Sequence, residues 1–415
     1  MTQMSFFAER KHEPANWEAT RQAGNARLRH FLPNAGQTYA RQRNFDFGRA
    51  DRANVSALSP WIRHRGLVEE DVLRATLAKH RFAEAEKFIQ EVFWRGYFKG
   101  WLEHRPYVWR HYKLAVRDLV NSLERDASLA SRYEEAVQGK TGIACFDAWA
   151  RELVETGYLH NHARMWFASI WIFTLHLPWQ LGADFFYRHL LDGDPASNTC
   201  SWRWVGGLHT KGKTYLARAN NIKQYTNGRF SPSGQLAVEA VPLLEPDLPA
   251  PALSLTRAPD FPGERIGLLI TEEDCSPETL PLQIRPRAVL ALTSPSLRSV
   301  LPMGSVAQMF GSGLVEDGAE HARLHFACDV TVSADANWQA VLQAWSRDND
   351  LDAIVTAHLP VGPVARRLKK AASGISSPLI EVMRDYDYAV WPHAKRGFFG
   401  LKKKLPNILA ELGLG

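Results

Sequence analysis

The stretch HNHARMWFASIWIFTLHL (160–177) restricts the possible folds more than any other part of the chain, because it is apolar on nearly every face except at Arg164. A helix with no polar stripe must be enclosed by a large core. His and Arg break the run, so it does not read as a membrane span. An arginine carried into such a core needs an anionic partner, and Asp192 or Asp194 of LLDGDPASN (190–198) can supply one.

A chain of 415 residues is longer than one core usually serves, so two domains are expected. Residues 231–263 hold seven prolines and no sustained period, which marks an extended connection. Before it, apolar residues recur at helical spacing over 67–103, 112–137, 144–156 and 161–177. After it, RIGLLIT (265–271), AVLALTS (288–294), LHFACDVTV (324–332) and DAIVTAH (352–358) read as short buried strands between helical stretches. The expected architecture is a mainly α domain at 1–235, a Pro-rich linker at 236–262 and a smaller α/β domain with a Rossmann-like parallel sheet at 263–415. The loop HLPVGPVARRLKK (358–370) is either an ordinary βα turn or a ligand site at the end of that sheet.

Charge divides along the same line. Residues 1–230 carry 33 Lys and Arg against 23 Asp and Glu, and the remainder carries 17 against 21. Eleven of the 14 tryptophans also precede residue 230. A basic, aromatic domain fits a single-strand binder or a flavoprotein, and a solvated basic surface would look the same. The four cysteines form no CxxC pair, which argues against zinc, iron-sulfur or disulfide frameworks. The start, MTQMSFFAERKHEPANWEATRQAG, has no apolar signal region, so a soluble cytoplasmic protein with no membrane partner is expected.

GLHTKGKT (207–214) matches a phosphate-binding loop, yet it follows a polar, aromatic segment where that motif requires a buried strand. Four other blocks combine into a more specific pattern: ANVSALSPWIRHRGL (53–67), FIQEVFWRGYFKGWLEHRP (88–106), TGYLHNHARMWFAS (156–169) and LLDGDPASNTCSWRW (190–204). In this order and spacing they resemble the flavin-binding domain of the DNA photolyase and cryptochrome family, over roughly residues 35–230.

The resemblance implies a helical domain that holds FAD. It places Ser56, Leu58 and Ser59 at the diphosphate, with Val55 where the family has threonine. Tyr39, Phe88, Arg95, Tyr158, Asn161, Arg164, Asp192, Asp194 and Asn198 fall on cofactor positions, Arg164 and Asp192 as the buried ion pair and Asn198 beside flavin N5. Glu91, Trp94, Asn161, Met165 and Trp204 fall on the pocket for a flipped pyrimidine dimer, with His162 where many dimer photolyases have arginine. Trp202 and Trp179 match the inner and middle members of the electron-transfer chain, and Tyr133 or Trp109 can stand in for the outer one. Arg203 receives no role.

The resemblance implies light-dependent repair of cyclobutane pyrimidine dimers in damaged DNA by a carbon-carbon lyase. The alternative it leaves open is a blue-light receptor with a protein partner. The family's α/β antenna domain ordinarily precedes the flavin domain, whereas here an α/β domain follows it. RDYDYAVWPHAKRGFFGLKKKLP (384–406) resembles the end of that antenna domain, implying a transposed antenna-like unit with an unidentified second chromophore.

Overall fold

The computed structural model describes residues 17–415 except 254, 256–260 and 294–296. Residues 1–16 of the start, parts of the linker and the last residue of the expected strand 288–294 therefore lie outside the described residues. The first half is helical: α1 (Arg21–Phe31), α2 (Gln37–Gln42), α3 (Ser59–Arg63), α4 (Glu69–Lys79), α5 (Phe82–Glu103), α6 (Pro106–Leu123), α7 (Ala127–Gln138), α8 (Ala144–Thr156), α9 (Asn161–Ser169), α10 (Trp179–His189), α11 (Pro195–Val205) and α12 (Ala219–Tyr225).

Local capping explains where the sequence periods were too coarse. The 67–103 period is two helices, because the Glu84 carboxylate accepts from the Arg81 amide at 3.2 Å and starts α5 afresh. Likewise Asp126 accepts from the Leu129 amide at 2.9 Å and separates α7 from α6. The 160–177 run is buried as expected, but α9 passes into one wide π turn at Ile170–Thr174, with the Leu175 amide donating to the Ile170 carbonyl at 2.9 Å. A single helical period cannot register that inserted residue.

The second half contains β1 (Ile266–Ile270), β2 (Ala288–Leu292), α13 (Ser305–Phe326), β3 (Asp329–Ser333), α14 (Trp338–Asp348), β4 (Ala353–Ala357), α15 (Pro363–Ala372), β5 (Leu379–Val382), α16 (Asp385–Val390), α17 (Phe398–Lys402) and α18 (Leu405–Glu411). The strands form one parallel sheet in the order β3-β2-β1-β4-β5, with Leu268 opposite both Val289 and Val355. The expected strand at 324–332 is corrected: α13 continues to Phe326, Ala327 turns the chain at φ 46°, and β3 begins only at Asp329. The short strand β5 was not anticipated.

Strand alternation divides the sheet's two faces. Leu268, Ile270, Val289 and Ala291 join the same core as the helical half, whereas Leu269, Leu290 and Ile354 pack with Trp338, Leu342 and Leu368 of α14 and α15. The Pro-rich connection is laid down on the helices. Arg203 pairs with both oxygens of Glu245, which gives that residue its role, and the Leu243 amide donates to the Gly206 carbonyl at 2.9 Å.

The carboxyl ends of β1 and β4 flank the point where the strand order reverses. The helical half fills this place. Arg63 makes two 2.8 Å hydrogen bonds to the Glu273 carboxylate, and Arg65 makes a 2.7 and 2.8 Å pair to Asp387. Arg384 donates to both Asp274 oxygens, at 2.7 and 2.8 Å. In the loop after β4, the Val361 amide donates to Glu103 of α5 at 2.5 Å, so 358–362 serves as a docked βα turn. Breaking one partner of such a buried pair costs about 3–5 kcal/mol, whereas a matched apolar replacement is often neutral. Arg63→Ala is expected to lower the denaturant-derived stability by that amount, and Arg63→Met with Glu273→Leu to recover most of it. Equal losses in the single and double variants would contradict the pairing.

Candidate functional site

Helical spacing on several elements points side chains into one cavity of about 600 Å³. Helix α5 contributes Phe88, Glu91, Val92, Arg95 and Phe98, with Trp94 beside them; α9 contributes Asn161, Arg164, Met165 and Ala168; α11 contributes Ser197, Asn198, Ser201, Trp202 and Trp204. Tyr39 of α2, the turn Ser56, Leu58 and Ser59 into α3, Tyr158 and Asp192 complete the lining. The volume lies within the range of cofactor and ligand pockets.

The cavity's electrostatic centre is Asp192. Its Oδ2 accepts from Arg164 at 3.0 Å and lies 3.8 Å from Arg95. Burial alone would raise its pKa, but Arg164, Arg95 and a hydrogen bond from Ser59 outweigh that effect and hold it below the ordinary carboxylate range. Asp192 Oδ1, Arg95 Nη1 and Ser197 Oγ are buried without hydrogen-bond partners. Such atoms are rare in a finished core and suit a polar ligand that completes them. One hydrogen of the Asn198 amide is committed to the Ala183 carbonyl at 2.7 Å, which sets the orientation of that side chain.

At the other end Glu91 meets Arg43 at 2.7 Å. Burial raises the Glu91 pKa despite Arg43. Trp94 is half-buried and stacks at 3.8 Å and 12° on Phe398 of α17, and Trp204 stacks on Tyr215 at 5.6 Å. His162, its pKa lowered by burial, is hydrogen-bonded through Nδ1 to the Asn44 carbonyl at 2.8 Å.

Two expected site residues are not on the cavity wall. Asp194 is buried behind it: it caps α11 by accepting from the Ser197 amide at 2.6 Å and lies 3.8 Å from Arg63. Burial is outweighed there by Lys99, Arg63 and Arg95, which push its pKa down to about 2. Of the two aspartates offered as the partner of Arg164, the structure selects Asp192. Trp179 lies outside the lining and stacks on Tyr112 at 5.7 Å. Trp202 instead meets Trp171 at 6.1 Å, and Trp171 meets the half-buried Tyr133 at 6.1 Å. The phosphate-loop match at 207–214 follows helix α11, not a strand.

Arg43, Ser197, Ser201, Phe98 and Phe399 line the cavity without having been expected there. Arg43 lies one helical turn after Tyr39, a spacing that could have revealed it. Phe399 comes from the far end of the chain and leaves no local signal.

Residues 88–258 match the family described as the FAD binding domain of DNA photolyase. A deoxyribodipyrimidine photo-lyase of Thermus thermophilus is 34% identical over 219 residues, covering 52% of this chain and 49% of the relative. That of Escherichia coli is 28% identical over 248 residues, covering 59% and 50%. The chain thus spans about half the length of these relatives. A class III photolyase structure from Agrobacterium tumefaciens covers 52% of this chain and 46% of its own, at 25% identity and a TM-score of 0.41.

Gly182 of α10 allows Trp202 its place at the cavity, since an added Cβ would stand 2.3 Å from the Trp202 ring and 2.8 Å from Trp171. Gly182→Ala is expected to cost about 1–3 kcal/mol by overpacking and to shift tryptophan fluorescence. Unchanged stability and emission would show that the contact is not tight.

Proposed function

We propose, with residues 88–258 belonging to the FAD-binding domain family of DNA photolyases as the premise, that this chain uses light to split cyclobutane pyrimidine dimers in damaged DNA. One observation carries the reading. A single cavity joins a buried cation-carboxylate cluster with orphaned polar atoms to a rim of Trp94, Trp204, Met165 and Glu91.

These residues fit FAD. Ser56, Leu58 and Ser59 would hold its diphosphate, Tyr39, Phe88 and Tyr158 its apolar surfaces, and Arg164, Asp192, Asn161 and Asn198 its polar ring edge. When bound, FAD would supply the chemistry, a light-driven one-electron donor in its reduced form that would take the electron back after ring opening, with no net redox change.

The protein's part is to bind, orient and keep the site dry. Asp192 stays ionised between Arg164 and Arg95 and so keeps those cations aligned with the cofactor. Glu91, paired with Arg43 at 2.7 Å and half-buried on the cavity wall, can accept a charge-assisted hydrogen bond from a base edge. Trp94 and Trp204 offer aromatic surface to an extruded base. The basic first half supplies attraction for the phosphate backbone.

The four cysteines are free, which suits a reducing compartment such as the cytoplasm. No helix among the described residues is long and apolar enough to cross a membrane. A light-receptor reading draws on the Phe398–Trp94 stack, which couples the C-terminal half to the cavity wall.

The test is to illuminate reduced protein with dimer-containing DNA and follow the lesion by chromatography. Repair is expected, and Glu91→Gln should slow it about tenfold, as loss of a charge-assisted hydrogen bond does. No repair by flavin-loaded protein would favour the receptor. For photoreduction we place the electron route inward to the cofactor through Tyr133, Trp171 and Trp202. Trp171→Phe should slow photoreduction of oxidised protein yet leave repair by chemically reduced protein intact; unchanged photoreduction would remove Trp171 from the route.

A further inference from the structure

Helix α5 has two working faces. One lines the cavity, and the other carries Gly96 and Gly100 one turn apart, where an added Cβ would stand 2.8 Å from the Tyr386 hydroxyl and 2.8 Å from the Trp391 Cα. That groove seats the C-terminal segment so closely that the residues after Trp391 emerge at the cavity's rim. The backbone there is pinned: the Tyr97 hydroxyl donates to the Arg396 carbonyl and Arg105 to the Lys395 carbonyl, both at 2.8 Å. Phe398 is locked on Trp94.

The charged side chains of this fixed strap are all of one sign. Residues 395–404, KRGFFGLKKK, hold five cations and no acid, although the C-terminal half as a whole is net acidic. Lys395, Arg396, Lys403 and Lys404 are exposed, while Lys402 is held by Glu86 at 3.1 Å. Phe399 both lines the cavity and is 76% exposed, an unusual position for a large apolar ring.

We propose that the 395–404 strap is a DNA-docking element supplied by the C-terminal half, with its cations on backbone phosphates and Phe399 inserted where a flipped-out dimer leaves the duplex stack. The charge matches a polyanion, and apolar wedges are a recurrent way to occupy a gap between base steps. Pinning the backbone beforehand reduces the ordering cost of binding. The role of Phe399 rests on the repair reading; that of the cations rests only on DNA binding.

The test measures fluorescence anisotropy of the full chain in the dark, with labelled duplex with and without one cyclobutane dimer, across a salt series. Replacing Lys395, Arg396, Lys403 and Lys404 together by Gln should weaken both duplexes and reduce the salt slope by roughly 2–4. Phe399→Ala should weaken the dimer-containing duplex about tenfold and barely affect the undamaged one. These side chains are exposed, so near-wild-type melting temperatures are expected and confirm folding.

An unchanged salt slope and affinity in the Gln variant would overturn the strap, as would tighter wild-type binding to an RNA duplex of the same sequence. If Trp204→Ala abolishes lesion preference while Phe399→Ala preserves it, the wedge fails and the repair reading stands. If the wild type shows no lesion preference, the repair reading and the wedge fail together, and the salt slope decides the cations.

Discussion

The guanidinium of Arg63 holds the molecule's parts in register. It donates to Glu273 at the end of β1 and, through Nε, to the Gly193 carbonyl at 2.8 Å, with Asp194 3.8 Å away. Arg298 grips the same loop from the α/β side by donating to the Leu190 carbonyl at 2.8 Å. The loop that carries Asp192 is therefore fixed between the halves, and Asp192 in turn sets Arg164 and Arg95. Burying so many charges is costly; Arg63 offsets it by pairing two-pronged with Glu273, while Arg164 and Arg95 share Asp192 and Arg298 meets Glu272 through single contacts.

A consequence is that the cavity is not a property of the helical half alone. Helix α5 turns one face to the cavity and the other to the C-terminal segment, and the two meet again at Phe398 and Phe399 on the rim. The sheet, which reads in sequence as a separate unit beyond a linker, shares its Leu268 and Val289 face with the helical core.

What could be read from sequence follows from where the information lies. Asn161, Arg164 and Met165, or Asn198 and Trp202, share a helix at three- and four-residue spacing, which predicts their common face, and the structure brings them together; Trp204, two places after Trp202, lines the same cavity without that spacing. Asp192 and Asp194 differ by two positions in a loop, where no period says which points inward; capping of α11 claims Asp194. The π turn after α9 and the αL residue Ala327 each change a local period by one step, which a pattern read over many residues averages away. Arg203 stayed unassigned because its partner, Glu245, lies within the Pro-rich stretch and is brought over by tertiary folding. Phe399 is the extreme case, since its placement depends on two glycines of a helix formed much earlier in the chain.

The most direct measurement is the visible absorption spectrum of the purified full chain, before and after incubation with FAD. Stoichiometric FAD is expected, retained through gel filtration and lost in Asp192→Ala. A colourless protein that cannot take up added FAD would contradict the assignment of the cavity.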